Sequence, residues 1–175
     1  IKCIMVAIEL SSISTSDILV QSSIVYAENI LQSLSQDSGT FYNIVNRSFG
    51  INYDPTLAET IRNQWANGDF RNLPSIQVLP SGMNGVAAYA TSTNTIYLDQ
   101  SFLDSNQPYL LNTVLLEEFG HFLNNQIQAN STGETGRIFS NLAQGVSLSD
   151  QQLAALQAID DNGTITLNGQ LIPVE

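Results

Sequence analysis

Apolar residues recur at three- and four-residue intervals across residues 16–34, at Ile18, Leu19, Ile24, Val25, Ala27, Ile30, Leu31 and Leu34. The pattern predicts a helix, with Ser16 or Asp17 available as its cap. Gln36-Asp37-Ser38-Gly39 breaks the period, and residues 40–48 predict a second, shorter helix bounded by Phe49-Gly50. A third begins near Asp54-Pro55, whose proline suits a first helical turn, and runs through Leu57, Ile61 and Trp65 to Asn67-Gly68. None of the three carries a chemical signature, and they read as core scaffold.

The period then changes from helical to alternating. Residues 75–79, 86–90 and 95–99 predict three short strands, the last two joined at hairpin length by Thr91-Ser92-Thr93-Asn94. A long helix follows, starting near 105–107 with Pro108 in its first turn and reaching about Gln128. After a polar loop at 129–133, Arg137, Ile138, Leu142 and Ala143 predict a short helix, and Ser149 caps another that runs to Ala158. The chain closes on two β-rich runs around Asn168-Gly169, a pair that accepts the positive φ angles of a tight hairpin turn. The expected fold class is α+β: N-terminal helices, a small antiparallel sheet preceding a central helix, and a C-terminal β-hairpin. One domain is expected over residues 1–175, with 1–15 poorly ordered, 16–72 helical, and 73–175 holding the sheet, the central helix and the hairpin.

Composition narrows the functional classes. Apolar residues make up 43% of 175 positions, enough for one buried core. Acidic residues outnumber basic ones 16 to 5, for a net charge of −11, which repels phosphate backbones and anionic lipid. Nucleic acid and membrane are therefore not expected partners. The single cysteine, Cys3, rules out an intramolecular disulfide and a cysteine metal cluster. The opening ten residues carry Glu9 inside a short apolar run and show no small-residue cleavage site, so they do not read as a signal peptide. Asp160-Asp161-Asn162-Gly163 suggests a calcium loop. Aligning its glycine with that of an EF-hand puts Ala158 and Gly169 at ligand positions, which rejects that reading.

Chemistry concentrates in the long helix. It holds the only histidine, His121, with Glu117 and Glu118 four and three residues ahead of it. At about 100° per residue, Glu117, His121 and Asn124 share a narrow sector, while Leu115, Phe119 and Phe122 lie opposite. This is the arrangement of a zinc protease helix, in which ligands at i and i+4 face one metal and the carboxylate after the first ligand takes a proton from water. Gly120, inside the helix, costs about 1 kcal/mol relative to alanine, which points to close packing there.

Glu117-Glu118-Phe119-Gly120-His121 resembles the matrixin motif His-Glu-Phe-Gly-His with Glu117 in place of the first histidine. The third matrixin histidine has no counterpart, because the chain continues Phe122-Leu123-Asn124-Asn125 and has no other histidine. A closer resemblance is to a group of bacterial, often cyanobacterial, secreted calcium-binding-repeat proteins. They carry a Glu-Glu-x-Gly-His helix, a Gly-Asp-Glu-Gly turn, a short helix and a Ser-Asp step. Here the matching residues are Glu117 to His121, Gly133-Glu134-Thr135-Gly136, Arg137-Ile138-Phe139-Ser140 and Ser149-Asp150, covering the chain from about Leu73 onward. The turn departs from the group's pattern at Thr135.

The resemblance implies a zincin-like metallopeptidase-type domain that is secreted, with a peptide or protein substrate. It implies Glu117, His121 and Glu134 as ligands of a divalent metal, zinc first, with manganese or iron as competitors, and Glu118 as the catalytic base. A small sheet precedes the metal helix in zincins, and its edge strand pairs with extended substrate, which would set the 86–98 hairpin beside the cleft. Two other readings compete. In one, the module is zincin-like but non-catalytic, a structural or interaction part of a larger secreted protein, as Thr135 and Asn124 suggest by standing where the group has acids. In that case Arg137 could pair with Glu134. In the other, Glu117 and Glu118 are solvated and His121 is a hydrogen-bonded histidine near the core.

Overall fold

A computed structural model describes residues 14–80, 83 and 85–175. Most of the expected residues 1–15 segment therefore lies outside the described residues. Ser14 and Thr15 are ordered: Ser14 Oγ accepts from the Asp17 amide and the Asp17 side chain accepts from the Ser14 amide, a capping box that starts α1 (Thr15–Gln36). The cap is thus Ser14, rather than Ser16 or Asp17. Asp37 closes α1 and opens α2 (Ser38–Phe49), accepting from the amides of Gly39 and Thr40, so the predicted break between the helices is a single residue. Helix α3 (Pro55–Ala66) carries its proline in the first turn and an Asp54 cap. These three helices pack on one another through Leu31, Phe41, Val45, Ala58 and Trp65, none of which is exposed to solvent.

Strands β1 (Ser75–Leu79), β2 (Ala87–Ala90) and β3 (Thr95–Asp99) form a sheet in the order β1-β3-β2. Strands β2 and β3 make the predicted antiparallel hairpin. Strand β1 pairs with the far side of β3 in parallel, so the sheet is mixed and the expected all-antiparallel sheet is corrected. The reason is topological: the hairpin takes one edge of β3, and β1 reaches the remaining edge running in the same direction as β3. A short helix absent from the sequence expectation, α4 (Gln100–Asp104), follows at once, capped by Asp99.

Helix α5 (Pro108–Gln126) is central, packed against α1, β2 and α6 (Thr135–Ala143). It has no side-chain N-cap and no charged residue in its first turn, so packing of Leu111, Leu115, Leu116, Phe119 and Phe122 holds it. Each of these buried side chains stabilises by about 1.5–3 kcal/mol. Helix α7 (Asp150–Gln157) begins at the expected cap, Ser149, which forms a capping box with Gln152, and β4 (Gly163–Leu167) and β5 (Gln170–Val174) form the expected hairpin. That hairpin does not stand alone. Just past β5, Glu175 exchanges backbone hydrogen bonds with Tyr89, N to O and O to N at 3.0 Å each, which seats the hairpin on the outer edge of β2.

Candidate functional site

The helix face that holds Glu117, His121 and Asn124 is covered, although it is polar. His121 is 3% exposed, Glu118 5% and Asn124 4%, and Glu117 is half-buried. The reading in which Glu117 and Glu118 are merely solvated is therefore overturned. Helix α6 crosses α5 at two glycines and provides the cover. A Cβ on Gly120 would stand 2.8 Å from the Gly136 Cα, and a Cβ on Gly136 would stand 2.5 Å from the Glu117 carbonyl oxygen and from His121 Cδ2 and Nε2. The close packing expected at Gly120 is this crossing. It presses the Cδ2–Nε2 edge of the imidazole onto the backbone of α6.

Three further segments reach the cluster. The turn ahead of α6 is pinned by Gly133, at φ +91° with no room for a Cβ against the Gln157 backbone, and by the Glu134 amide, which donates to the Leu156 carbonyl at 3.1 Å. This sets the Glu134 carboxyl against that of Glu117. Asn124 holds the preceding loop, accepting from the Ser131 hydroxyl at 2.7 Å and amide at 3.3 Å and donating to its carbonyl at 3.0 Å. Asn124 is thus a loop anchor. Arg137 is exposed and, among the described residues, forms no ion pair with Glu134; its charge acts on Glu117 instead.

Past α7, Asp161 Oδ2 lies 3.8 Å from His121 Nδ1, and Glu175 Oε2 lies 3.5 Å from the same atom. Sequence reasoning missed both residues. Asp161 drew attention only as part of a rejected calcium loop, and in the structure its neighbour Asp160 accepts from the Asn162 amide and side chain to form a local turn. Glu175 had no local signal, because the docking of the hairpin on β2 brings it to the site.

The electrostatics follow from this crowding. Burial pushes Glu117 up to about 7, helped by the Glu134 charge and opposed by His121 and Arg137. Burial pushes Glu118 up to about 8, with Glu117 and Glu134 adding to the shift while His121 and the Tyr89 backbone oppose it. Burial disfavours the charged form of His121, yet Glu175, Glu118 and Asp161 together outweigh it and raise the imidazolium to about 9. Asp161 is also raised, chiefly by burial.

One imidazole among carboxylates is a donor set suited to zinc, manganese or iron(II). His121 Nδ1, Glu118 Oε2 and Thr135 Oγ1 are buried without a hydrogen bond, Nδ1 standing in ion-pair range of Asp161 and Glu175. Buried polar atoms are normally satisfied, so Glu118 Oε2 beside this imidazole suits a cation on chemical grounds. The placement is looser than the chemistry. As the side chains stand, no group of three or more His, Cys, Asp or Glu among the described residues is disposed to hold a metal ion. Of the ligands expected from sequence, Glu117 and Glu134 come together, and His121 lies within electrostatic reach of Glu117 while its Nδ1 faces Asp161 and Glu175.

The 86–98 hairpin does border the cluster, through the Tyr89 backbone beside Glu118 and the Tyr89 ring packed edge-on against Phe122 at 6.1 Å. A cavity of about 270 Å³ opens next to it, lined by Tyr89, Thr91, Ser92, Asn162, Pro173 and Glu175. No helix among the described residues is long and apolar enough to cross a membrane. Comparison with known proteins returns no matching family model, no matching curated protein and no matching solved structure.

Proposed function

We propose that this chain is a zincin-like domain whose α5 cluster binds a divalent cation and hydrolyses a peptide bond in a secreted setting. The observation that carries this reading is the buried Nδ1 of the only histidine, which stands 3.8 and 3.5 Å from the carboxylates of Asp161 and Glu175. A cation bound there would act as a Lewis acid toward a carbonyl and lower the pKa of water. His121 and the carboxylates around it hold the ion, Glu117 and Glu134 being the donors expected from sequence. Glu118, one residue beyond Glu117, is the base. Held up to about 8, it is largely protonated at neutral pH and takes up a proton only when positive charge beside it brings it back down. The buried walls of the cluster keep bulk water from competing.

Two variants test this. Glu118→Gln should keep the cation and lose turnover of a casein-type or peptide-library substrate by about 10²-fold or more. Loss of cation and turnover together would remove the assigned role. His121→Ala should lose the cation altogether, as read by mass-spectrometric metal content of protein prepared without chelator.

A second reading keeps the zincin-like module and drops catalysis. It is favoured by the outer edge of β2, which Glu175 already occupies at Tyr89, so that an extended substrate has no free strand to pair with there. Under it, His121→Ala changes stability and leaves partner binding intact.

A further inference from the structure

Strand β1 leaves one edge of the sheet without a partner among the described residues. Ser75 donates to the Asn94 carbonyl at 3.2 Å, so Ser75, Gln77 and Leu79 turn their backbone groups toward β3, and those of Ile76 and Val78 face outward. Beside this edge a groove of about 450 Å³ runs between β1 and α1, walled by Val20, Ile24, Phe70, Leu73, Ile76 and Val78. Helix α1 runs antiparallel to β1. Ser16 accepts from the Gln100 side chain just past the end of β3, which is parallel to β1, and Gln32 reaches the Ala66 carbonyl ahead of β1. Two carboxylates of α1 therefore bracket the groove, Glu28 toward the start of β1 and Asp17 toward its end. The helix rises about 16 Å between them, the length of a five-residue strand. Glu28 is half-buried and pairs with no cation among the described residues, and burial alone raises its pKa.

We propose that this groove docks an extended peptide of a partner protein, apolar at alternate positions and basic at its ends, which adds as a strand to the outer edge of β1. Its main chain hydrogen-bonds Ile76 and Val78, and its alternate side chains replace water over Val20, Ile24 and Phe70. Its basic ends meet Glu28 and Asp17. A net charge of −11 draws such a peptide in and repels both an acidic one and a second copy of this chain. The edge is not that of β2, which Glu175 closes at Tyr89, and docking here needs neither a cation nor turnover at α5.

The probe is a fluorescein-labelled peptide, Lys-Val-Thr-Val-Thr-Val-Lys, whose binding to the full chain is read by fluorescence anisotropy. Saturable binding is expected, weakened about two- to fivefold by Glu28→Gln, as loss of one partly exposed ion pair allows. Val78→Pro removes an outward amide and no bond to β3, so circular dichroism should be unchanged while affinity falls more than about tenfold. Methylating the nitrogens of the peptide's valines, or those of its threonines, tests the main-chain contacts without altering the protein. One set faces β1 and should abolish binding, and the other should not. Equal binding by the two methylated forms overturns the proposal. So does unchanged affinity in both Glu28→Gln and Val78→Pro, equal binding of the peptide with glutamates at its ends, or no binding at all. A dimer in sedimentation that Val78→Pro dissolves assigns the edge to a second copy, and binding that appears only once residues 1–13 are removed assigns it to the chain itself. Either result overturns the proposal as well.

Discussion

Gly136 fixes how deeply the His121 imidazole is seated, and through it the position of everything the ring faces. A methyl at that position would collide with the ring and with the Glu117 carbonyl, on the rigid backbone side as well as the side-chain side. Gly136→Ala should therefore lower stability by about 1–3 kcal/mol in urea unfolding and displace the single imidazole signal. Gly120→Ala should cost a comparable amount and shift that signal less, because its Cβ would meet α6 rather than the ring. Asn124 belongs to the same scale. Asn124→Ala removes three hydrogen bonds to Ser131 and should cost about 1–3 kcal/mol, with hydrogen exchange in residues 129–133 rising first. Equal exchange in that loop would show that Gly133 alone holds it. Glu117, Glu118 and His121 were legible as a constellation from their spacing on one helix. Asp161 and Glu175 were not, since 40 and 54 residues separate them from His121 and tertiary contact alone joins them.

Among the elements, local signals carried most of the boundaries. Prolines at the first turns of α3 and α5, the Ser149 cap of α7 and the Asn168-Gly169 turn each act over a few residues, and each element starts or turns where its signal stands. What local signals do not encode is pairing direction, and β1 shows it: an alternating run looks the same whether it joins β3 parallel or antiparallel. Helix α4 was hidden for a related reason, being a five-residue helix made by one Asp99 cap after a strand. Asp37 is the C-cap residue of α1 and, through its side chain, the N-cap of α2. Asp37→Ala should cost about 0.5–2 kcal/mol, the usual value of an N-cap, and circular dichroism should show helix loss on the α2 side, where its oxygens accept. An unchanged unfolding midpoint would mean that packing of Phe41 and Val45 suffices for α2.

At the scale of the whole molecule, the cluster predicts an unusual pH response for cation-free protein. The folded pKa values of Glu117 and Glu118, about 7 and about 8, lie above their ordinary value of 4.5, and that of His121, about 9, lies above 6.5. In each case the native state binds the proton more tightly than the unfolded chain does. The stability these groups contribute is complete below their unfolded values and is lost as pH rises through the folded ones. The thermal midpoint should then fall between about pH 5 and 9, while the lowered carboxylates of Glu59 and Asp69, each paired with an arginine, affect only the acid side. Saturating zinc should flatten the alkaline fall, since bound cation favours the ionised carboxylates. A midpoint that rises steadily toward pH 9 without metal would contradict the buried cluster.

Docking of the C-terminal hairpin also has a colloidal consequence. An open strand edge is a template for pairing with another chain, and β2 has its outer edge closed by the paired backbone of Tyr89 and Glu175. A protein clipped ahead of Gly163 would lose that closure along with one carboxylate of the cluster, that of Glu175. The same cut that disarms the site would leave the remaining sheet prone to self-association, so a clipped product would be removed by precipitation instead of persisting as an inert soluble fragment.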